Sequence, residues 1–225
     1  MLVVSFKASE KFCNFLEKNN ISYIKTTKNP NLDPRICDHP DLSIFPLDRD
    51  NIVVASEVYD YYKEKLSDKN IIIGESVSRK YPLDAIYNIV RFKNYYIHNN
   101  YTEKTIERYF SDNKIEYLMV KQGYTKCSTI VLKESILTAD YGIYKALKDK
   151  VRVILLSDDL IKLDGFDKGF IGGTCGLVGD RLIFTGNIRK HKSYDLIKKE
   201  CDRENIEILY PDTDLVDLGS LININ

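Results

Sequence analysis

One pattern recurs five times along the chain: a polar cluster that ends a helix, followed at once by an apolar strand. It stands at Asn20-Ile21-Ser22-Tyr23-Ile24, Asn70-Ile71-Ile72-Ile73 and Lys114-Ile115-Glu116-Tyr117-Leu118. It returns at Lys150-Val151-Arg152-Val153-Ile154 and Asn205-Ile206-Glu207-Ile208-Leu209. A repeat of roughly 35–55 residues dictates a modular architecture, in which each unit needs its neighbours to bury its apolar face.

Each unit reads strand, variable polar segment, hairpin, helix. In the third, Ile115 to Val120 is an apolar run suited to a buried strand. Thr129 to Leu132 and Ser135 to Thr138 form a hairpin around Lys133-Glu134, and Asp140 caps a helix over Tyr141 to Lys148. The first unit gives Ser43 to Leu47, then Ile52 to Ala55, with Ser56 capping Glu57 to Leu66. The second gives Asn88 to Phe92, then Tyr95 to Ile97, with Thr102 capping a helix to Phe110. The fourth gives Leu177-Val178, then Leu182 to Phe184, and a helix from Ser193. The expected unit bounds are 21–67, 71–113, 115–150 and 151–205, with 206–225 completed by 1–20.

That fifth unit is the strongest constraint on topology. It starts at Ile206 and lacks a second hairpin strand and a helix, which Leu2 to Ser5 and Ser9 to Lys18 supply. Second hairpin strands start at Ile52, Tyr95, Ser135 and Leu182, about 40–47 residues apart, and the step through both termini to Leu2 has the same size. A linear solenoid has no reason to divide one unit between its ends. A closed ring does, because joining the ends removes exposed strand edges.

Composition narrows the function classes. Acidic and basic residues number 33 each, which argues against nonspecific nucleic-acid binding. No apolar stretch approaches membrane-spanning length, and the N-terminus does not read as a signal peptide. Five cysteines without paired spacing fit a reducing cytoplasm. Lys198-Lys199-Glu200 reads as a solvated helix face, His98 and His191 as surface residues near helix starts, and Cys13 as core.

A five-unit α/β ring of strand-hairpin-helix modules closed by the chain ends resembles the pentein fold, a five-fold pseudosymmetric α/β propeller. Three segments, Asp38-His39-Pro40-Asp41-Leu42-Ser43, Gly123-Tyr124-Thr125-Lys126-Cys127-Ser128 and Gly169-Phe170-Ile171-Gly172-Gly173-Thr174-Cys175-Gly176, look like a bacterial branch of that superfamily. The resemblance implies one domain over residues 1–225. It also implies a ligand on the central axis, touched by the segment before each hairpin. The superfamily contains arginine and agmatine deiminases, dimethylarginine hydrolases and amidinotransferases, and a ribosome anti-association factor without catalytic chemistry.

The enzymes use a Cys nucleophile, a His acid/base and carboxylates that hold a guanidinium. A carboxylate pairs bidentately with that planar cation, a thiolate attacks its carbon and a His shuttles protons. Asp41 stands where the resemblance puts an acidic guanidinium ligand. The expected His and C-terminal Cys are absent from their positions, which hold Cys127 or Ser128 and Gly219-Ser220. The remaining candidates are Cys127 as nucleophile, with Lys126 lowering its pKa, and His39 as proton shuttle. Lys126, Ser128, Gly173, Cys175 and Ser220 are further substrate contacts. Aligned third positions Ser43, Asn88, Ser128, Gly176 and Ser220 are all small or polar, and strand alternation would turn them toward one channel. Gln122, Tyr124, Asp140, Asp214 and Asp217 would line its mouth. Gly172-Gly173 lacks a following Gly-Lys-Ser/Thr and is no phosphate loop; it would let backbone approach the axis. Cys37 and His39 have no second ligand pair, so no metal or other cofactor is expected.

These residues support binding, with or without modification, of a guanidino-type small molecule. The alternatives are a non-catalytic binding or assembly module acting on a protein partner, and a degenerate enzyme that senses a metabolite.

Overall fold

A computed structural model describes all residues, 1–225. The chain begins with β1 (Leu2–Val4), α1 (Glu10–Lys18) and β2 (Tyr23–Lys25). It continues through β3 (Ile44–Pro46), β4 (Asn51–Val54), α2 (Tyr59–Lys65) and β5 (Asn70–Ile73), then β6 (Val90–Phe92), β7 (Tyr95–His98), α3 (Lys104–Asp112) and β8 (Glu116–Met119). The third series is β9 (Thr129–Val131), β10 (Ile136–Thr138), α4 (Tyr141–Leu147) and β11 (Val153–Leu155). The fourth is β12 (Cys175–Val178), β13 (Arg181–Phe184), α5 (Tyr194–Arg203) and β14 (Glu207–Leu209), and the chain closes with β15 (Ile222–Asn223).

These strands make five separate three-stranded sheets, none closed on itself. In each, an antiparallel pair is joined to a third strand that runs parallel. The sheet β15-β1-β2 combines both chain ends, with Leu2 opposite Asn223 and Val3 opposite Ile222. No helix is long and apolar enough to cross a membrane.

The recurrent polar cluster has a definite local cause. Asn20, Lys114 and Asn205 follow α1, α3 and α5 with φ of 55°, 54° and 54°. The next residue turns its N–H back into the helix: Ile21 to Leu16 O, Ile115 to Phe110 O and Ile206 to Cys201 O. This left-handed helix ending satisfies carbonyls that would otherwise be orphaned, and it aims the chain into the following strand. α1 and α4 are capped by Ser9 and Asp140, each accepting from a backbone N–H three residues on. The expected cap Ser56 instead sits inside a 3-10 turn, Ser56–Val58, and makes no capping bond. Thr102 is displaced from its expected role by Glu103, whose carboxylate takes the Ile106 N–H. Thr102 hydrogen-bonds the His98 ring instead, at 3.0 Å.

Helix faces supply the core. Phe12 and Leu16 of α1 pack on Leu2 and Val4, and Phe110 of α3 stacks on Tyr96 with ring centroids 4.5 Å apart. Two sequence expectations fail for a common reason. The Ile115–Val120 run is not a buried strand: β8 is the outer strand of its sheet, and Tyr117 and Met119 are exposed. Glu200 is not on a solvated face: it is buried and bonded twice over to the Arg152 guanidinium, at 2.7–3.1 Å. Local hydropathy does not report which side of a strand or helix meets another unit. His98 and His191 are likewise buried rather than on the surface.

Candidate functional site

The segments before the hairpins carry the candidate residues, and of these only Cys175-Gly176 is strand; the rest are turns or irregular chain. Pro40–Leu42 and Gly172–Thr174 are 3-10 turns. Strand alternation therefore does not govern which side chains face inward there, and the expected convergence of the third positions is replaced by a mixed set. Asp41, Asn88, Cys127 and Ser220 come together, while Ser43 bonds Asn29 and Ser128 faces elsewhere.

Asp41 is the hub. Pro40 starts its turn, and the Asp41 N–H donates to Gly219 O at 3.3 Å. Oδ2 accepts from the Ser220 hydroxyl at 2.6 Å and from the Cys127 thiol at 3.0 Å. Oδ1 is buried and has no hydrogen-bond partner. Asn88, which sequence reasoning placed in its alignment but not among the site residues, ties the group together. Its carbonyl oxygen accepts the N–H groups of Lys126 and Cys127 at 2.7 and 3.1 Å, and its amide donates to Cys127 Sγ at 3.2 Å. A small polar residue at the same aligned position as Ser220 was the available signal.

Glycines let the backbones close on this centre. Gly173 donates to Cys127 O and accepts from Leu218 and Ser220 N–H at 3.0 and 2.9 Å. A Cβ on Gly173 would lie 2.0 Å from Asp217 Oδ1. Gly219 and Ser220 are consecutive left-handed residues, φ 74° and 65°, and Ser220 holds a conformation that costs a non-glycine residue energy.

Electrostatics overturns one expectation. Lys126 was expected to lower the pKa of Cys127. Instead burial first, and then the Asp41 charge, push that thiol well above its usual value. The Lys126 ammonium acts on Cys175, whose thiol burial nonetheless raises to about 12. His39 forms no hydrogen bond with the thiol: its side chain packs over Gly219 and its electrostatic partner is Asp217. Asp217 accepts N–H bonds from Phe170 and Gly219 at 2.8 and 3.0 Å, and burial raises its pKa. His39 and Asp217 line a polar basin of about 470 Å³ with Lys7, Asp38 and Asp214.

Asp41 lines a different cavity, of about 200 Å³. Its wall takes residues from all five sheets, Phe45, Arg91, Val131, Leu177 and Ile222 among them. Lys126 and Cys175 line it beside Asp41. The structure thus brings Asp41, Cys127 and Ser220 into hydrogen-bond contact and Lys126 and Cys175 to the same cavity. It sets His39 in the basin and Ser128 in a third space. The inner cavity is mostly apolar with one acidic and two basic side chains, an arrangement suited to holding a small charged molecule away from water.

No curated protein matches this chain in sequence. Solved structures do match it in fold. An agmatine deiminase from C. jejuni superposes with a TM-score of 0.57 at 10% identity, covering 98% of this chain and 80% of its own. DDAH from Pseudomonas aeruginosa, in complex with citrulline, gives 0.55 at 12% identity, covering 92% and 82%. An amidinotransferase from Microseira wollei gives 0.56 at 9% identity, covering 98% and 80%. These are penteins, and this chain shares their fold. By sequence, residues 3–222 match the profile of DUF6873, a family of unknown function, and the chain belongs to that family.

Proposed function

We propose that this protein binds a guanidino-type or similar planar cationic small molecule, with Asp41 as its anion. One observation carries the reading: Asp41 Oδ1 is buried, lacks a hydrogen-bond partner and belongs to a residue on the cavity wall. A buried polar atom without a partner is costly, and a guanidinium supplies the missing donors. Arg91 and Lys126 on the same wall oppose a simple cation. They favour a ligand whose far end is anionic, such as a guanidino acid. The fold shared with guanidino-acting enzymes supports the class.

The same reading takes residues 1–225 as one domain whose five sheets close into a propeller around Asp41. The shared cavity and the β15–β1 pairing support it. Five free, buried thiols fit a reducing cytoplasm.

Nucleophilic attack by Cys127, with His39 as proton shuttle, is the finer reading. It requires the thiol to lose its proton against the Asp41 charge and His39, which lines the basin, to reach that thiol. Binding without turnover requires neither, and we favour it.

A thermal-shift series of wild type and Asp41→Asn against creatine, arginine, agmatine and guanidine tests this. Ligand at 100 times its dissociation constant stabilises by about 2.7 kcal/mol. We expect a shift with a guanidino acid that Asp41→Asn removes, and a smaller one with agmatine. No shift with any of the four, or an equal shift in Asp41→Asn, refutes the assignment.

A further inference from the structure

Cys127 and Ser128 are adjacent in sequence and face different spaces. Ser128 lines a cavity of about 300 Å³ that shares no residue with the wall around Asp41. Its hydroxyl is buried, at 3% exposure for the residue, and has no hydrogen-bond partner. Serines at equivalent places, Ser43 and Ser220, do have partners. Buried hydroxyls seldom go unpaired, so one carried by a residue that lines a cavity marks a place for a donor or acceptor from outside the chain.

Three carboxylates share that cavity: Asp140, Asp158 and Asp159. Asp140 Oδ1 caps α4, and its Oδ2 takes only a long bond from Gln122, 3.3 Å. Asp158 meets Lys168 at 2.6 Å, both side chains being well exposed, and such a pair is readily displaced. Asp159 accepts the Leu160 and Lys192 N–H groups and has the Lys192 ammonium at 3.3 Å. Lys168 is the one ammonium on the wall. His191 adds no compensating charge, because burial lowers its pKa and its Nδ1 accepts from Ser193 N–H. With Lys168 on the wall and the Lys192 ammonium beside Asp159, three carboxylates meet two ammonium groups, and the space keeps a net charge of about −1.

The carboxylates do not gather into a group able to hold a metal ion. Their complement is an extended organic cation. Ile161, Ile171 and Phe170 offer an apolar wall for a methylene chain, and Tyr141 lines the same space. A primary ammonium carries three rotatable donors and suits scattered acceptors better than a planar fork does. We propose that this cavity binds an alkylammonium compound of the diamine or polyamine class. The Ser128 hydroxyl accepts from one ammonium, and Asp140, Asp158 and Asp159 meet the charges.

Isothermal titration with putrescine, cadaverine and spermidine tests the proposal. Wild type, Ser128→Ala, Asp158→Asn and Asp41→Asn would be compared at low salt. The expected result is binding of at least one amine by wild type, at least tenfold weaker in Ser128→Ala and weaker in Asp158→Asn. Asp41→Asn should bind as wild type does, since its residue belongs to the other cavity. Ser128→Ala removes a hydroxyl with no bond in the fold, so an unchanged melting temperature separates lost binding from lost structure. Absence of binding by all three amines overturns the proposal. So does binding that survives Ser128→Ala and Asp158→Asn, or that disappears in Asp41→Asn.

Discussion

Ser220→Ala tests the centre of the site most directly. The Ser220 hydroxyl is fully buried and donates to Asp41 Oδ2 at 2.6 Å. A bond to a charged acceptor contributes about 1.5–3 kcal/mol, and Cys127 remains as the second donor to the same oxygen. The expected loss is about 2 kcal/mol, or a fall in melting temperature of about 4–8 °C for a chain of this size. Alanine keeps the left-handed strain at φ 65°, whereas glycine removes it. Relief of about 1–2 kcal/mol, less about 0.4–1 for the more flexible unfolded chain, leaves Ser220→Gly less destabilised than Ser220→Ala. In an Asp41→Asn background the acceptor is neutral, and the cost of Ser220→Ala should fall to about 1 kcal/mol. Urea denaturation of the four single and double variants measures all of this. A loss under about 0.5 kcal/mol for Ser220→Ala, or zero coupling to Asp41, refutes the account.

Three further outcomes follow from the same geometry. All five thiols are buried and Cys127 is pushed well above its usual pKa by burial and by Asp41, so native protein should resist iodoacetamide at pH 8; mass spectrometry before and after denaturation checks it, and Asp41→Asn should quicken Cys127 labelling. Gly219→Ala places a Cβ 2.3 Å from His39 Cβ at φ 74°, and should cost about 2–4 kcal/mol in urea denaturation through strain and overpacking. His98 is held by burial at about 4, below its unfolded 6.5, so the unfolded chain binds the proton more readily. Stability should therefore fall as pH drops from about 6.5 to about 4, by up to about 3 kcal/mol, and His98→Gln should flatten that part of the melting-temperature profile.

The repeat, the hairpins and most helices were legible because their signals are local. Lys114 in a left-handed ending, the Lys133-Glu134 turn and the Asp140 cap all act within a few residues. What the sequence concealed depends on other units. Glu200 reads as a surface charge until Arg152 of a neighbouring sheet covers it. At the site, Asp41 and Ser220 stood out, but Asn88 did not, because its role is to bind two backbone N–H groups from another unit. The electrostatic direction at Cys127 was misread for the same reason. Lys126 is its neighbour in sequence, whereas Asp41 is its neighbour in space.

The distances along the chain between those partners carry a consequence for how the molecule is made. Within each hairpin, strands pair across a turn of a few residues. The bonds at Asp41 reach 86 residues to Cys127 and 179 to Ser220. Contacts of that separation, like the pairing of the two chain ends, carry a high loop-closure cost and form late. Local sheets should therefore assemble before the centre does, and occupancy of Asp41 should report that the last of them has docked. A ligand bound there would slow unfolding of the whole chain more than it strengthens any one sheet.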